Sequence, residues 1–157
     1  MEAAERQRAA IIEHYIEKNG AKYQGFKSAA DGVNHLAFIT EKLDETIEYY
    51  TQVIRLRLDR VRAGTSDPRV TQVFFDMGHG ELLAFLHIPN VKGRAQTGLG
   101  GLHHWALTLN TEQYESARKR LDERELAYTT IEHEILTTIT TKDPNGIVLE
   151  LSMWKHE

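Results

Sequence analysis

Residues 33–154 run twice through the same order of apolar runs, turns and helical spacings, and that repeat limits the possible folds before any motif is read. Val33-Asn34-His35-Leu36-Ala37-Phe38-Ile39 reads as an apolar strand closed by Thr40. Leu43, Ile47, Tyr50 and Ile54 then recur at helical spacing, followed by β-like runs at 56–61, 70–77 and 81–88. Gly78-His79-Gly80 separates the last two runs as a hairpin turn would. The second half repeats the order. It has a strand over 102–109, a helix over 111–124 with Tyr114, Ala117 and Leu121 on one side, and strands over 127–132, 136–141 and 147–153. Asp143-Pro144-Asn145-Gly146 is a strong turn, because proline presets φ and Asn-Gly supports positive φ.

The halves align on particular residues. His35-Leu36-Ala37-Phe38 matches His104-Trp105-Ala106-Leu107, and Gly80 before the fourth strand matches Gly146 before the eighth. The small drift between the two matches falls where the first half has the longer loop, 62–69. The expected fold is therefore α+β, with two βαβββ modules at about 31–92 and 99–154 forming a cup-shaped mixed sheet. The alternative is an unrelated α+β domain with coincidental order. Ahead of the modules, residues 3–19 read as an amphipathic helix through Ile11, Ile12, Tyr15 and Ile16, stopped by Asn19-Gly20. With the small, polar stretch that follows, they make a separate segment, 1–30.

Composition removes several function classes. A net charge of -4 argues against a nucleic-acid binder, which would carry a basic stripe. No apolar run approaches the roughly 20 residues needed to span a bilayer, and the acidic N-terminus is not a signal peptide. The chain has no cysteine, which excludes disulfides, thiolate metal sites and cysteine nucleophiles, and fits a cytoplasmic location. Eight histidines are then the main material for a metal site.

Strand alternation sorts them. His35 shares a face with Val33, Ala37 and Ile39; His104 with Leu102, Ala106 and Thr108; Glu150 with Val148 and Ser152. His103 points the other way. Two imidazoles and a carboxylate, each among apolar neighbours, are the donor set of a facial triad for a divalent metal. Singly, each histidine is more readily a satisfied core residue, and Glu150 a partner of a lysine or arginine.

The repeat and its punctuation resemble the vicinal oxygen chelate superfamily, which includes glyoxalase I, bleomycin-resistance proteins, fosfomycin-resistance transferases and extradiol dioxygenases. The residues that carry the resemblance are Gly32-Val33-Asn34-His35-Leu36-Ala37-Phe38, His103-His104-Trp105-Ala106-Leu107 and Asp143-Pro144-Asn145-Gly146-Ile147-Val148-Leu149-Glu150-Leu151. The resemblance implies that His35, His104 and Glu150 hold one divalent metal, Fe(II) foremost, with Mn, Ni, Co or Zn as alternatives. Glyoxalase I and the epimerases add a fourth ligand on the fourth strand. Aligning Gly80 with Gly146 puts Ala84 there, and Glu81 on the opposite face from Ala84. Three ligands leave room for two vicinal substrate oxygens and O2, so the resemblance implies an extradiol-type dioxygenase acting on a small molecule. The fosfomycin transferases differ by a threonine where this chain has Ala37. Extradiol enzymes often carry a tyrosine where this chain has Thr140, and an acid–base histidine for which His87 and His79 are candidates. The rivals are a lyase, isomerase or thiol transferase on the same scaffold, or a metal-free binding protein. Domain-swapped pairing makes a homodimer the expected assembly.

Other features are read more plainly. Glu132-His133-Glu134 cannot turn three adjacent strand residues toward one ion and reads as a solvated edge. Gly98-Leu99-Gly100-Gly101 lacks the following helix a phosphate loop needs and reads as the hinge between modules. Phe74, Phe75, Phe85 and Trp105 are core candidates, some of them able to line a pocket for a flat substrate.

Overall fold

Each half of the repeat closes its own four-stranded sheet in the computed structural model, which describes residues 2–17 and 30–155. The chain divides into two units, Met1–Gly32 and Val33–Glu157. The first holds helix α1 (Glu2–Ile11), which continues as a π-helical turn, Ile12–Glu17. The expected helix over 3–19 thus changes character at Ile12, and its Asn19-Gly20 stop lies outside the described residues.

The second unit contains both modules. The first module runs β1 (His35–Thr40), α2 (Leu43–Glu48, continued by a π-helical turn Tyr49–Val53), β2 (Arg57–Ala63), β3 (Thr71–Gly78) and β4 (Glu81–His87). The second runs β5 (Trp105–Thr108), α3 (Thr111–Glu123), β6 (Tyr128–Glu132), β7 (Leu136–Lys142) and β8 (Val148–Trp154). The sheet orders are β1-β4-β3-β2 and β5-β8-β7-β6. In each, the first strand pairs in parallel with the last and the others pair antiparallel, so both sheets are mixed.

Local chemistry accounts for the elements. Asn110 caps α3 through a reciprocal box: its side chain accepts from the Gln113 N–H at 2.8 Å, and the Gln113 side chain accepts from the Asn110 N–H at 2.9 Å. The end of α2 widens because the Ile54 N–H reaches back to the Tyr49 carbonyl, five residues earlier, at 3.1 Å. That wider turn buries the adjacent rings of Tyr49 and Tyr50 together. At the hairpin between β3 and β4, Gly78, His79 and Gly80 all take positive φ, which only glycine adopts without strain. β5 is shorter than the expected 102–109. Among the described residues it is an edge strand paired with β8 alone, which begins at Val148, one residue before the partner of Trp105. Leu102 and His103 therefore have no strand to pair with.

The core lies between the two modules. Tyr50, Phe75, Leu83 and Phe85 from the first join Trp105, Leu121, Ile139, Leu149 and Leu151 from the second. Burying each such side chain contributes roughly 1.5–3 kcal/mol. A polar joint also ties the halves. The Thr40 hydroxyl donates to Asn145 Oδ1 at 2.6 Å, Asn145 Nδ2 donates to Thr46 Oγ1 at 3.1 Å, and the Tyr50 hydroxyl donates to Asp143 Oδ2 at 3.2 Å. Asp143 also accepts from the backbone N–H groups of Asn145 and Ile147, at 2.9 and 2.8 Å. Burial pushes the Asp143 carboxyl above the usual carboxylate range, opposed by these donors.

Candidate functional site

With the core between the modules, alternation leaves each sheet a second, more open face. On β1 it carries His35, Ala37 and Ile39, all exposed, while Leu36, Phe38 and Thr40 turn toward the core. Register partners share a face, so one row crosses the first sheet as Ala37–Ala84–Phe74–Arg60. The equivalent row in the second sheet is Ala106–Glu150–Thr140–Thr129. Ala84 thus stands to Ala37 as Glu150 stands to Ala106, the correspondence the sequence alignment of the halves expects.

His104 and Glu150 come together. His104 Nε2 lies 3.6 Å from Glu150 Oε2, with side chains 40% and 23% exposed. That separation is too long for a hydrogen bond, yet short enough for both atoms to reach one ion at ligand distances of about 2.0–2.2 Å. The Thr140 hydroxyl stands 3.5 Å from Glu150 Oε1, at the outer limit of a hydrogen bond. A largely buried carboxylate with partners this distant is short of compensation, and a cation on this face would supply it. The donor chemistry therefore fits a divalent ion.

His35 belongs to the other sheet. Among the described residues, no three side chains capable of holding a metal come together within the chain, so His35 is not joined to the His104–Glu150 pair. Its ring is nevertheless set up as a ligand. Nδ1 lies 2.7 Å from Asn34 Oδ1, which can only accept, and in the tautomer with its proton on Nδ1 the ring leaves Nε2 free to ligate. The second module repeats this device, with His103 Nδ1 at 2.7 Å from His104 Nδ1. A proton on His104 Nδ1 donating to His103 leaves His104 Nε2 free on the side of Glu150. His103 stands where Asn34 stands in the first module.

The remaining candidates lie elsewhere. His87 ends β4 on the face of Leu83 and Phe85, opposite to that of Ala84, and pairs with Thr40 and Thr71. His79 sits in the hairpin turn with φ 55°. Glu81 Oε1 accepts the Val33 N–H at 3.2 Å at the start of β4. Glu132 pairs with Lys155 at 2.8 Å and accepts from Thr137, and Glu132, His133 and Glu134 are all exposed, as a solvated edge requires. The segment 98–101 is a tight turn closed by the Gly101 N–H on the Gly98 carbonyl at 3.0 Å. Residues 91–97 of the connection line a depression of about 420 Å³ with Ala37, Ile39, His103 and Val148.

Sequence reasoning missed two arginines. Arg62 stacks over Phe74, with Cζ 4.9 Å from the ring centre, and Arg60 lies at 5.9 Å from the same ring. With His35, Gln72 and Ala84 they line a pocket of about 320 Å³ on the open face of the first sheet. The available signal was the spacing of the two arginines on a strand opposite Gln72 and Phe74. A β-bulge between Leu58 and Arg60 conceals it, because it resets the alternation.

Three solved structures illustrate the similarity of fold. A glyoxylase/bleomycin resistance protein/dioxygenase domain from Frankia sp. EAN1pec superposes with a TM-score of 0.71 at 17% identity, covering 81% of this chain and 100% of that one. The antibiotic-binding protein TnmS3 from Streptomyces sp. CB03234 gives 0.61 at 16% identity, covering 82% and 100%. The fosfomycin resistance protein FosX from Listeria monocytogenes gives 0.60 at 13% identity, covering 80% and 95%. A search among curated proteins found no match. The family model of the Glyoxalase/Bleomycin resistance protein/Dioxygenase superfamily matches residues 32–151, and the chain belongs to that superfamily.

Proposed function

We propose that this protein is a cytoplasmic metal-dependent enzyme of the dioxygenase type, acting on a small molecule through two vicinal oxygens, with a site completed between two copies of the chain. The observation that carries the reading is the register match of Ala84 to Glu150: the first sheet contributes a histidine and no carboxylate, so the donor set is limited to three. His104 and Glu150 of one copy would hold the ion together with His35 of another. The exposed apolar residues Ile39 and Ile131 on the open faces favour such pairing, since a second copy would bury them. Fe(II) is the ion best matched to two imidazoles and a carboxylate, ahead of Mn, Ni, Co and Zn. A bound ion of this kind supplies Lewis acidity and, as iron, reactivity toward oxygen.

The chain's own residues do the rest. Asn34 and His103 fix the ring orientation of the two ligating histidines, and the Thr140 hydroxyl faces the Glu150 carboxylate. Ala37, Ala84 and Phe74 give a dry floor against which a flat substrate can lie. Thr140 itself favours the rival reading of a Lewis-acid lyase, isomerase or thiol transferase, because the dioxygenase resemblance expects a phenol at that position. Oxygen uptake by Fe(II)-loaded protein across a panel of catechols separates these readings. Turnover of a hemithioacetal, or of an epoxide with thiol, by Ni- or Mn-loaded protein without oxygen uptake would select the rival.

Complementation tests the shared site. His35→Ala and Glu150→Ala should each bind little metal alone. Mixed by unfolding and refolding together, they should regain metal, because a heterodimer then holds one complete triad. Mixtures that stay as empty as the single variants would sink the two-copy arrangement.

A further inference from the structure

The pocket on the open face of the first sheet has a chemistry of its own. Its floor is apolar: Ala84 is 1% exposed and Phe74 8%. Two alanines in succession, Ala37 and Ala84, leave a depression beside the Phe74 ring. One side is cationic, with Arg60 and Arg62 both reaching over that ring, and the lining contains no carboxylate. Arg60 has its partner outside the pocket, donating from Nε to Asp59 at 2.6 Å. Arg62 instead donates from Nε to the neutral side-chain oxygen of Gln72 at 2.9 Å, and no carboxylate pairs with it among the described residues. Gln72 therefore orients the guanidinium without neutralising it. A planar fork held over an aromatic floor matches a carboxylate attached to a flat ring, bound in bidentate fashion.

We infer that Arg62, assisted by Arg60, selects substrates bearing a carboxylate on a planar ring. The inference rests on the open sheet faces being the substrate site, and it narrows the substrate to aromatic carboxylates. β1 and β2 are three strand spacings apart, about 14 Å between backbones. The long arginine side chains shorten that gap. Arg62 lies on the row of Gln72 and Ile39, two rows along the sheet from His35, so the guanidinium and the imidazole reach the pocket from opposite corners.

The test is titration calorimetry on the full chain with 3,4-dihydroxybenzoate and its neutral amide, in metal-free and metal-loaded protein. The acid should bind at least about tenfold more tightly than the amide, a preference that weakens with added salt. Arg62→Gln should remove most of the preference and Arg60→Gln part of it, each read as the acid-to-amide affinity ratio. Glu150→Ala should weaken both ligands in metal-loaded protein yet keep the acid-over-amide ratio. That outcome separates the arginine pocket from the metal reading, either of which can fail alone. Equal affinity for acid and amide, no binding of either at millimolar concentration, or a preference that survives the double substitution would overturn the inference.

Discussion

The two sheets share one register and carry opposite chemistry on their open faces. Along equivalent rows, the first sheet presents Ala37, Ala84, Phe74 and Arg60, and the second presents Ala106, Glu150, Thr140 and Thr129. The first is an apolar floor with a cationic rim, and the second is a carboxylate among hydroxyls. Only the device for aiming a histidine is kept in both, as Asn34–His35 and His103–His104. The difference teaches that the repeat preserves backbone and core, while chemistry is assigned on the face the core does not use. At a single equivalent position one sheet has an alanine and the other a glutamate, and the proposed cation site rests on that difference.

Glu150→Ala should produce the largest effect, since it makes the second row resemble the first. Metal affinity should fall by more than the ~10–100-fold typical for loss of an outer-shell partner, read by elemental analysis after dialysis. Full occupancy in that variant would remove Glu150 from the site.

Next in size is the joint that holds the two modules together. Asp143→Ala leaves the N–H groups of Asn145 and Ile147 and the Tyr50 hydroxyl without their acceptor, at a cost of about 3 kcal/mol in urea unfolding. The same residue sets a pH dependence. Burial raises its folded pKa above the unfolded value, so the folded state holds the proton more tightly. Its contribution is fully present below the ordinary value near ~4 and is lost as pH rises through the raised folded value. Compared with Asp143→Asn, the wild type should therefore lose relative stability as pH rises above about 4. A gap that instead widens in its favour would mean that the hydrogen-bond donors to Asp143 outweigh burial.

The smallest effect is expected at His103. His103→Asn reproduces the arrangement of the first module and should lower metal affinity by less than ~10-fold, whereas His103→Ala should lower it further. Equal loss in both would deny His103 its orienting role.

Much of this comparison can be read from the sequence, and the rest fails for identifiable reasons. The repeat, the turn at 143–146 and the opposition of Ala84 to Glu150 follow from apolar alternation and glycine placement, which depend on local geometry. Where the buried faces go does not follow. Alternation tells that Leu83 and Phe85 turn inward, and leaves open that they meet Trp105 and Leu149 from the other half. For that reason the separation of His35 from His104 within one chain had no sequence signal. Arg60 and Arg62 were hidden by the bulge at Asp59, and the end of β5 by the late start of its partner strand.

The core shared between the halves has a consequence for synthesis. Among the described residues every strand pairing closes within one half of the chain, so the first sheet can assemble as soon as β4 has been made. Its apolar face is then covered only in part, by Tyr50 of α2 against Phe75 and Phe85, because the core is completed by Trp105, Leu149 and Leu151 of the second half. A nascent chain that ends before β8 therefore presents a completed sheet with an apolar face only partly covered, the kind of surface that chaperones bind and that aggregates when left alone. The first half gains its structure early and its solubility late.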